Sequence, residues 1–358
     1  MTHTPTAGTA PTHPSASAGL LPRSETSGRG GGRPAGRGGR VLRLLVRRLL
    51  QIPVVLFVVS VLTFWLIQVV PGDPGRATLG QYASAEQVAA WNEANGLTGS
   101  LIERYGHWLQ GFLTGDWGTS FVYSQPNKDL VLSHLSNSML LGALAFVLLV
   151  PISVVLGSLQ AYREGRRSDR VITIGAMTLS AVPPFVIGLL LLLVFAVWVH
   201  WVPVQASSIA TGSLVDRFRA IILPASTLVL YYLAVITRMV RTGVGGSITS
   251  QYHRTAVLKG LEPSAVVRRH VLRNSLIPTL SLLGIYLGSM LAGEAVVEKL
   301  FNYPGLGALL VEAAQRKDVV LLCDGVMVTG AVALLALLLA DIALIVADPR
   351  IRFDNAKA

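Results

Sequence analysis

Apolar runs alternate with polar, charged segments six times along this chain, at about 49–70, 138–160, 171–199, 221–240, 275–293 and 325–347. A helix needs roughly 20 apolar residues to cross the hydrocarbon core of a bilayer, and each run approaches or exceeds that length. Lipid offers the backbone no hydrogen-bond partner, so each run is predicted to be helical. The expected fold class is therefore an all-α integral membrane protein with six transmembrane helices. Pro151, Pro183-Pro184 and Pro224 predict kinks within the runs, and Gly284 and Gly288 form a small-residue pair suited to close helix packing. Asp341 is the acidic residue placed well inside a run, while Glu294 and Asp324 stand near outer ends.

The polar segments fix the expected orientation. Lys and Arg number 8 up to Arg48, 4 in 161–170, 7 in 238–274 and 3 in the C-terminal tail, against 3, 2 and 3 in 71–137, 200–220 and 299–322. By the positive-inside bias both termini face the cytoplasm. Residues 1–40 are rich in Thr, Pro, Ser, Gly and Arg and have little to bury, so they read as a disordered cytoplasmic tail. The first apolar run is too long for a cleaved secretory signal and reads as a retained span. Composition agrees: 52% of the 358 residues are hydrophobic and 14% charged, which excludes a soluble single domain. The one cysteine, Cys323, excludes an internal disulfide and reads as a small apolar residue in or near the last span.

Between the fourth and fifth runs lies a basic island, Gln251 to Pro278. Tyr252–Lys259 is predicted as a short helix closed by Gly260, which can take left-handed angles, and Pro263 opens a second helix. Arg254, Lys259, Arg268, Arg269 and Arg273 against Glu262 leave the island at net +4, a charge that cannot enter hydrocarbon. By composition alone it reads equally as a surface segment held by anionic headgroups or as a docking element for another protein.

The segment 71–137 is long for a connector and carries its own turn and helix signals, with Pro71-Gly72-Asp73-Pro74 directly after the first span and Gly115-Asp116-Trp117-Gly118-Thr119-Ser120 further on. Trp91, Trp108 and Trp117 are expected at the membrane interface, ahead of a place along a substrate path. Catalytic chemistry is not evident. None of the five lysines follows Gly and precedes Ser or Thr, so the phosphate-cradling P-loop is absent, and the seven histidines lack metal-ligand spacing. Aromatic interleaving of the basic patches is missing, so no nucleic-acid partner is expected.

The motifs in combination resemble the permeases of binding-protein-dependent ABC importers, in the branch that imports dipeptides, oligopeptides and nickel. The resemblance covers roughly residues 41–353 and rests on five motifs in family order. Besides the two above, these are the order Ala256, Gly260, Asn274 and Pro278 in the island, the turn Phe301-Asn302-Tyr303-Pro304-Gly305-Leu306-Gly307, and Asp348-Pro349-Arg350-Ile351-Arg352. Arg254-Thr255-Ala256 stands where the general motif has Glu-Ala-Ala, a departure usual in that branch. The resemblance implies a type I importer permease domain over 41–353, with an external loop at 71–137, a cytoplasmic coupling loop at 241–274 and a short tail at 354–358.

It further implies that Arg254, Thr255, Ala256, Lys259, Gly260, Leu261, Asn274 and Pro278 couple to an ATPase subunit, and that the other motif residues are structural. The expected partners are a second homologous permease, two ABC ATPase subunits that use ATP and Mg, an extracytoplasmic solute-binding protein and membrane lipid. The chain itself would bind no cofactor and hydrolyse nothing, and it would reside in the bacterial cytoplasmic membrane. Peptide is the expected substrate, with nickel as an alternative. A stand-alone ion-coupled carrier would need mid-membrane ionisable residues or an internal repeat, and a membrane-anchored scaffold would use the island without transport.

Overall fold

The computed structural model describes residues 37–69, 72–206, 213–272, 275 and 277–347. Pro71, Asn274, Asp348, Pro349 and Arg350 lie outside the described residues, as do positions 1–36 of the N-terminal tail and all of 354–358.

Helices form wherever the apolar runs predicted them, and no strand occurs among the described residues. Four helices are long and apolar enough to cross a membrane: α1 (Arg37–Val69), α5 (Asn127–Tyr162), α8 (Leu214–Ile248) and α14 (Val319–Ala347). A fifth crossing is available if α6 (Arg167–Ala181) and α7 (Pro184–Leu191), which continues as a π-helical stretch Leu192–Trp198, act together. These two are bent by 107° at their junction. The cause is Pro183-Pro184: each proline excludes the helical region for the residue before it, and Val182 is extended at φ −95°, ψ 126°. Pro151 and Pro224, by contrast, lie inside unbroken helices. The fifth expected span appears as α11 (Ile277–Ala292), with 16 described residues.

Helix α8 is the centre of the bundle. Of its apolar window 67% is buried, against 17% for that of α1, because α5, α6, α7 and α11 all pack on it. Leu141, Leu149, Leu228, Ile236, Val240 and Met290 fill the core. Helix α14 closes the far side against α1 and α11. Gly284 and Gly288 face Ala340, Ala333 and Ala336 of α14, so the small-residue pair serves helix packing as expected. Asp341 is not isolated within its span: Arg48 Nε lies 2.9 Å from its carboxylate.

The segment between α1 and α5 folds as three helices, α2 (Pro74–Leu79), α3 (Ala85–Ala94) and α4 (Leu101–Thr114). Ser84 with Gln87 and Ser100 with Glu103 form complete capping boxes, and Gly115 ends α4 at φ 89°. For Trp108 the expectation of an interfacial position is corrected. Trp108 is 8% exposed and packs with Phe64, Cys323 and Met327, and Trp117 stacks on Phe112 with centroids 5.0 Å apart. Trp91 meets Phe121 edge to face. For Trp108, ring packing outweighs headgroup contact, because it buries the ring while Asp324 accepts its N–H.

Candidate functional site

Helix α9 (Gln251–Leu258) follows α8 after two residues, with the Ser250 hydroxyl accepting the His253 N–H. It ends as the cap residues predicted. The Gly260 N–H donates to Val257 O at 2.9 Å and the Leu261 N–H to Ala256 O at 3.4 Å, with Gly260 at φ 73°. This is a Schellman closure, which only a residue tolerant of left-handed angles completes cheaply. Helix α10 (Pro263–Val266) then starts on its proline and continues as a π-helical stretch, Val267–Leu272.

The island has two faces. Ala256 is 4% exposed and packs inwards with Val266, Val271 and Val244. Ala256 therefore does not stand on the outer surface with the other predicted coupling residues, because the helix needs a small residue to approach its own domain. The outer face carries Leu258, 87% exposed, with Val257 and Leu261 beside it and Arg254, Thr255, Lys259 and Gly260 around them. Pro278 lies in the first turn of α11. Arg241 of α8 bonds Asp169 of α6 at 2.9 Å, and Asp169 also accepts the Gly165 N–H, tying the α5–α6 turn to α8.

Three buried carboxylates hold the other motifs together. Asp318, just before α14, accepts the Ser120 hydroxyl at 2.6 Å and the Phe121 N–H at 2.9 Å. Burial pushes its carboxyl up from the ordinary range, opposed by those donors. Asp324 accepts Trp108 Nε1 at 2.9 Å and Asn127 Nδ2 at 3.0 Å. The segment Gly115 to Ser120 is thus a clasp: Asp116 accepts the Gly118 N–H, and Gly118 O accepts the Asn127 N–H. The first turn is built alike. Asp73 caps α2 by accepting the Arg76 N–H, Pro74 takes the first helical position, and Gly72 lies against Lys317.

The third carboxylate is Glu298 of α12 (Ala295–Leu300), fully buried against the start of α13 (Leu306–Gln315). It accepts the Ser138 hydroxyl at 2.6 Å and the Ala308 N–H at 2.8 Å, so the positive end of α13 faces a negative group. Burial raises its carboxyl, and these donors together with the Gly307 N–H pull it back. Pro304, Gly305 and Gly307 make this approach possible. A Cβ on Gly305 would fall on the carboxylate, and one on Gly307 would meet the Ala295 backbone at 2.7 Å. Asn137 Nδ2 donates to Pro304 O, and the Tyr303 hydroxyl returns a bond to Asn137 O.

Glu298, Asp318 and Asp324 were not among the predicted site residues. An acid beside a turn reads as a solvated charge, and their partners lie far away along the chain. No group of three or more His, Cys, Asp or Glu able to hold a metal occurs among the described residues.

Comparison with known families and proteins places these features in context. Residues 153–353 match the family described as binding-protein-dependent transport system inner membrane component, and 41–154 match its N-terminal membrane component. A Sinorhizobium fredii protein named as a probable peptide ABC transporter permease is 33% identical over 309 residues, covering 86% of this chain and 99% of the relative. The glutathione transport system permease protein of Escherichia coli K12 is 31% identical over 313 residues, covering 87% and 100%.

Proposed function

The chain belongs to the family of binding-protein-dependent transport system inner membrane components, and from that premise we propose that it is the peptide-translocating permease of an ATP-driven importer. It is a multi-pass protein of the cytoplasmic membrane. Residues 41–353 act as the translocating unit, with α1, α5, the bent α6–α7 pair, α8, α11 and α14 as its six crossings and both termini inside. The Lys and Arg asymmetry supports that orientation. A six-helix half needs a second, homologous permease to enclose a path. Two ATPase subunits supply the energy, consuming ATP and Mg, and an extracytoplasmic binding protein delivers the substrate.

The observation that carries this reading is the outer face of α9, where Leu258 is 87% exposed within a basic rim on the side assigned to the cytoplasm. Closure of the ATPase pair would press on this tip. The packing of Ala256, Val266 and Val271 under α8 then passes the movement to the central helix, and the Arg241–Asp169 bond carries it on to α6. Arg254, Thr255, Lys259, Gly260 and Leu261 form the contact, and Ala256 keeps α9 seated.

Peptide is preferred over nickel because the relatives above are named for peptide and glutathione transport. The test is uptake of trialanine and of glutathione into proteoliposomes holding the chain with its partner subunits and binding protein. Accumulation that requires ATP hydrolysis supports the reading. Accumulation driven by an ion gradient with the ATPase omitted overturns it.

A further inference from the structure

The surroundings of Asp341, Asp324 and Glu294 differ. Asp341 is paired with Arg48, and Asp324 is fully buried with two donors on it. Glu294 is half-buried, and among the described residues no cation bonds to it. Its Oε1 accepts the Tyr232 hydroxyl and, at 3.1 Å, the Ser289 hydroxyl, which are themselves 2.9 Å apart. Tyr232 lies well inside the uncharged stretch of α8 between Arg219 and Arg238, so this carboxylate reaches hydrocarbon depth. A partly exposed charge there cannot face lipid; it must face a water-filled path or a partner across it.

The surroundings suit one kind of ligand. Tyr231 meets Tyr232 edge to face with centroids 4.8 Å apart, and Tyr286 lies 4.7 Å from Tyr232 on the other side. Tyr231 and Tyr286 are both partly exposed. Tyrosine ring faces beside a carboxylate held by neutral donors attract an organic ammonium through cation–π contact and ion pairing together. We infer that Tyr231, Tyr232, Tyr286, Ser289 and Glu294 form a way-station for the free α-ammonium of a peptide passing along the path. This rests on the peptide-import reading and adds to it a recognition group within the membrane.

The experiment measures uptake of trialanine and N-acetyltrialanine by the full reconstituted complex, for wild type, Glu294→Gln and Glu294→Asp. Glutamine keeps an acceptor for Tyr232 and Ser289 while removing the charge, so the fold is retained and checked by subunit co-purification. Glu294→Gln is expected to lower trialanine uptake about tenfold and Glu294→Asp by about threefold or less, with background entry of the acetylated peptide equal in all three. Trialanine uptake by Glu294→Gln within about twofold of wild type, or a loss of the same factor for both peptides, overturns the ammonium site. If the wild-type complex accumulates neither trialanine nor glutathione, the peptide-import reading fails and this inference falls with it. Normal wild-type uptake with an unaffected variant refutes the ammonium site alone.

Discussion

Replacing Gly305 with alanine tests the Glu298 clasp most sharply. Gly305 has φ −99° and ψ 168°, angles that any residue adopts, so backbone strain plays no part and the whole effect is steric. The new methyl group would occupy the position of the Glu298 carboxylate. If the carboxylate moves away, the Ser138 hydroxyl and the Ala308 N–H lose their acceptor at a fully buried site. Each stranded donor costs about 1–3 kcal/mol, and forcing an extra methyl into packed space costs about 1–3 kcal/mol.

Gly305→Ala should therefore destabilise by about 3–9 kcal/mol, a large share of the ~5–15 kcal/mol typical of a folded domain. Truncating the obstacle changes the outcome. In a Glu298→Ala background the methyl has room, and Gly305→Ala should cost less than about 1 kcal/mol, giving a coupling of ~2 kcal/mol or more. The assay is equilibrium unfolding of the detergent-purified chain for the four members of the cycle. Equal costs of Gly305→Ala in both backgrounds would refute the steric reasoning.

Three further outcomes are expected. Trp108→Phe removes one of the two side-chain donors to Asp324 and should lower stability by about 1–3 kcal/mol in the same unfolding assay, because that carboxylate is fully buried. Asp318 has its carboxyl raised by burial above the ordinary 3.8, so the folded state holds the proton more tightly than the unfolded one. Its contribution to stability is then present below pH 3.8 and is lost as pH rises through the raised value; Asp318→Asn should flatten that part of the melting temperature against pH curve. Ala256→Glu and Leu258→Glu should separate the two faces of α9. The first buries an unpaired carboxylate and costs several kcal/mol, whereas the second changes stability by less than ~0.5 kcal/mol and lowers ATP-driven uptake about tenfold.

What was legible in the sequence follows from the range over which each signal acts. Apolar runs and caps are local, so the helices were readable, and the end of α9 was placed to within a residue by Lys259 and Gly260. The break at Pro183-Pro184 was readable for the same reason. The clasps were not, because their partners are far apart: Ser120 and Asp318 by 198 positions, Trp108 and Asp324 by 216, Ser138 and Glu298 by 160. Helical periodicity carries no information over such distances. The inward turn of Ala256 was missed because α9 is too short for its apolar residues to define a face, and only the packing of Val266 and Val271 beneath it settles which side is buried. Trp108 was assigned to the interface because tryptophan favours both settings, and its choice depends on an aspartate in α14.

In the proposed function, a separate ATPase drives this chain through the outer face of α9. The most direct measurement places a photoreactive benzophenone on Leu258→Cys in the assembled, membrane-embedded complex, where the native Cys323 is buried and out of reach of the reagent. The expected product is an adduct between this chain and the ATPase subunit, formed in membranes that retain ATP-driven uptake. An adduct confined to lipid, or one to the extracytoplasmic binding protein, would contradict it.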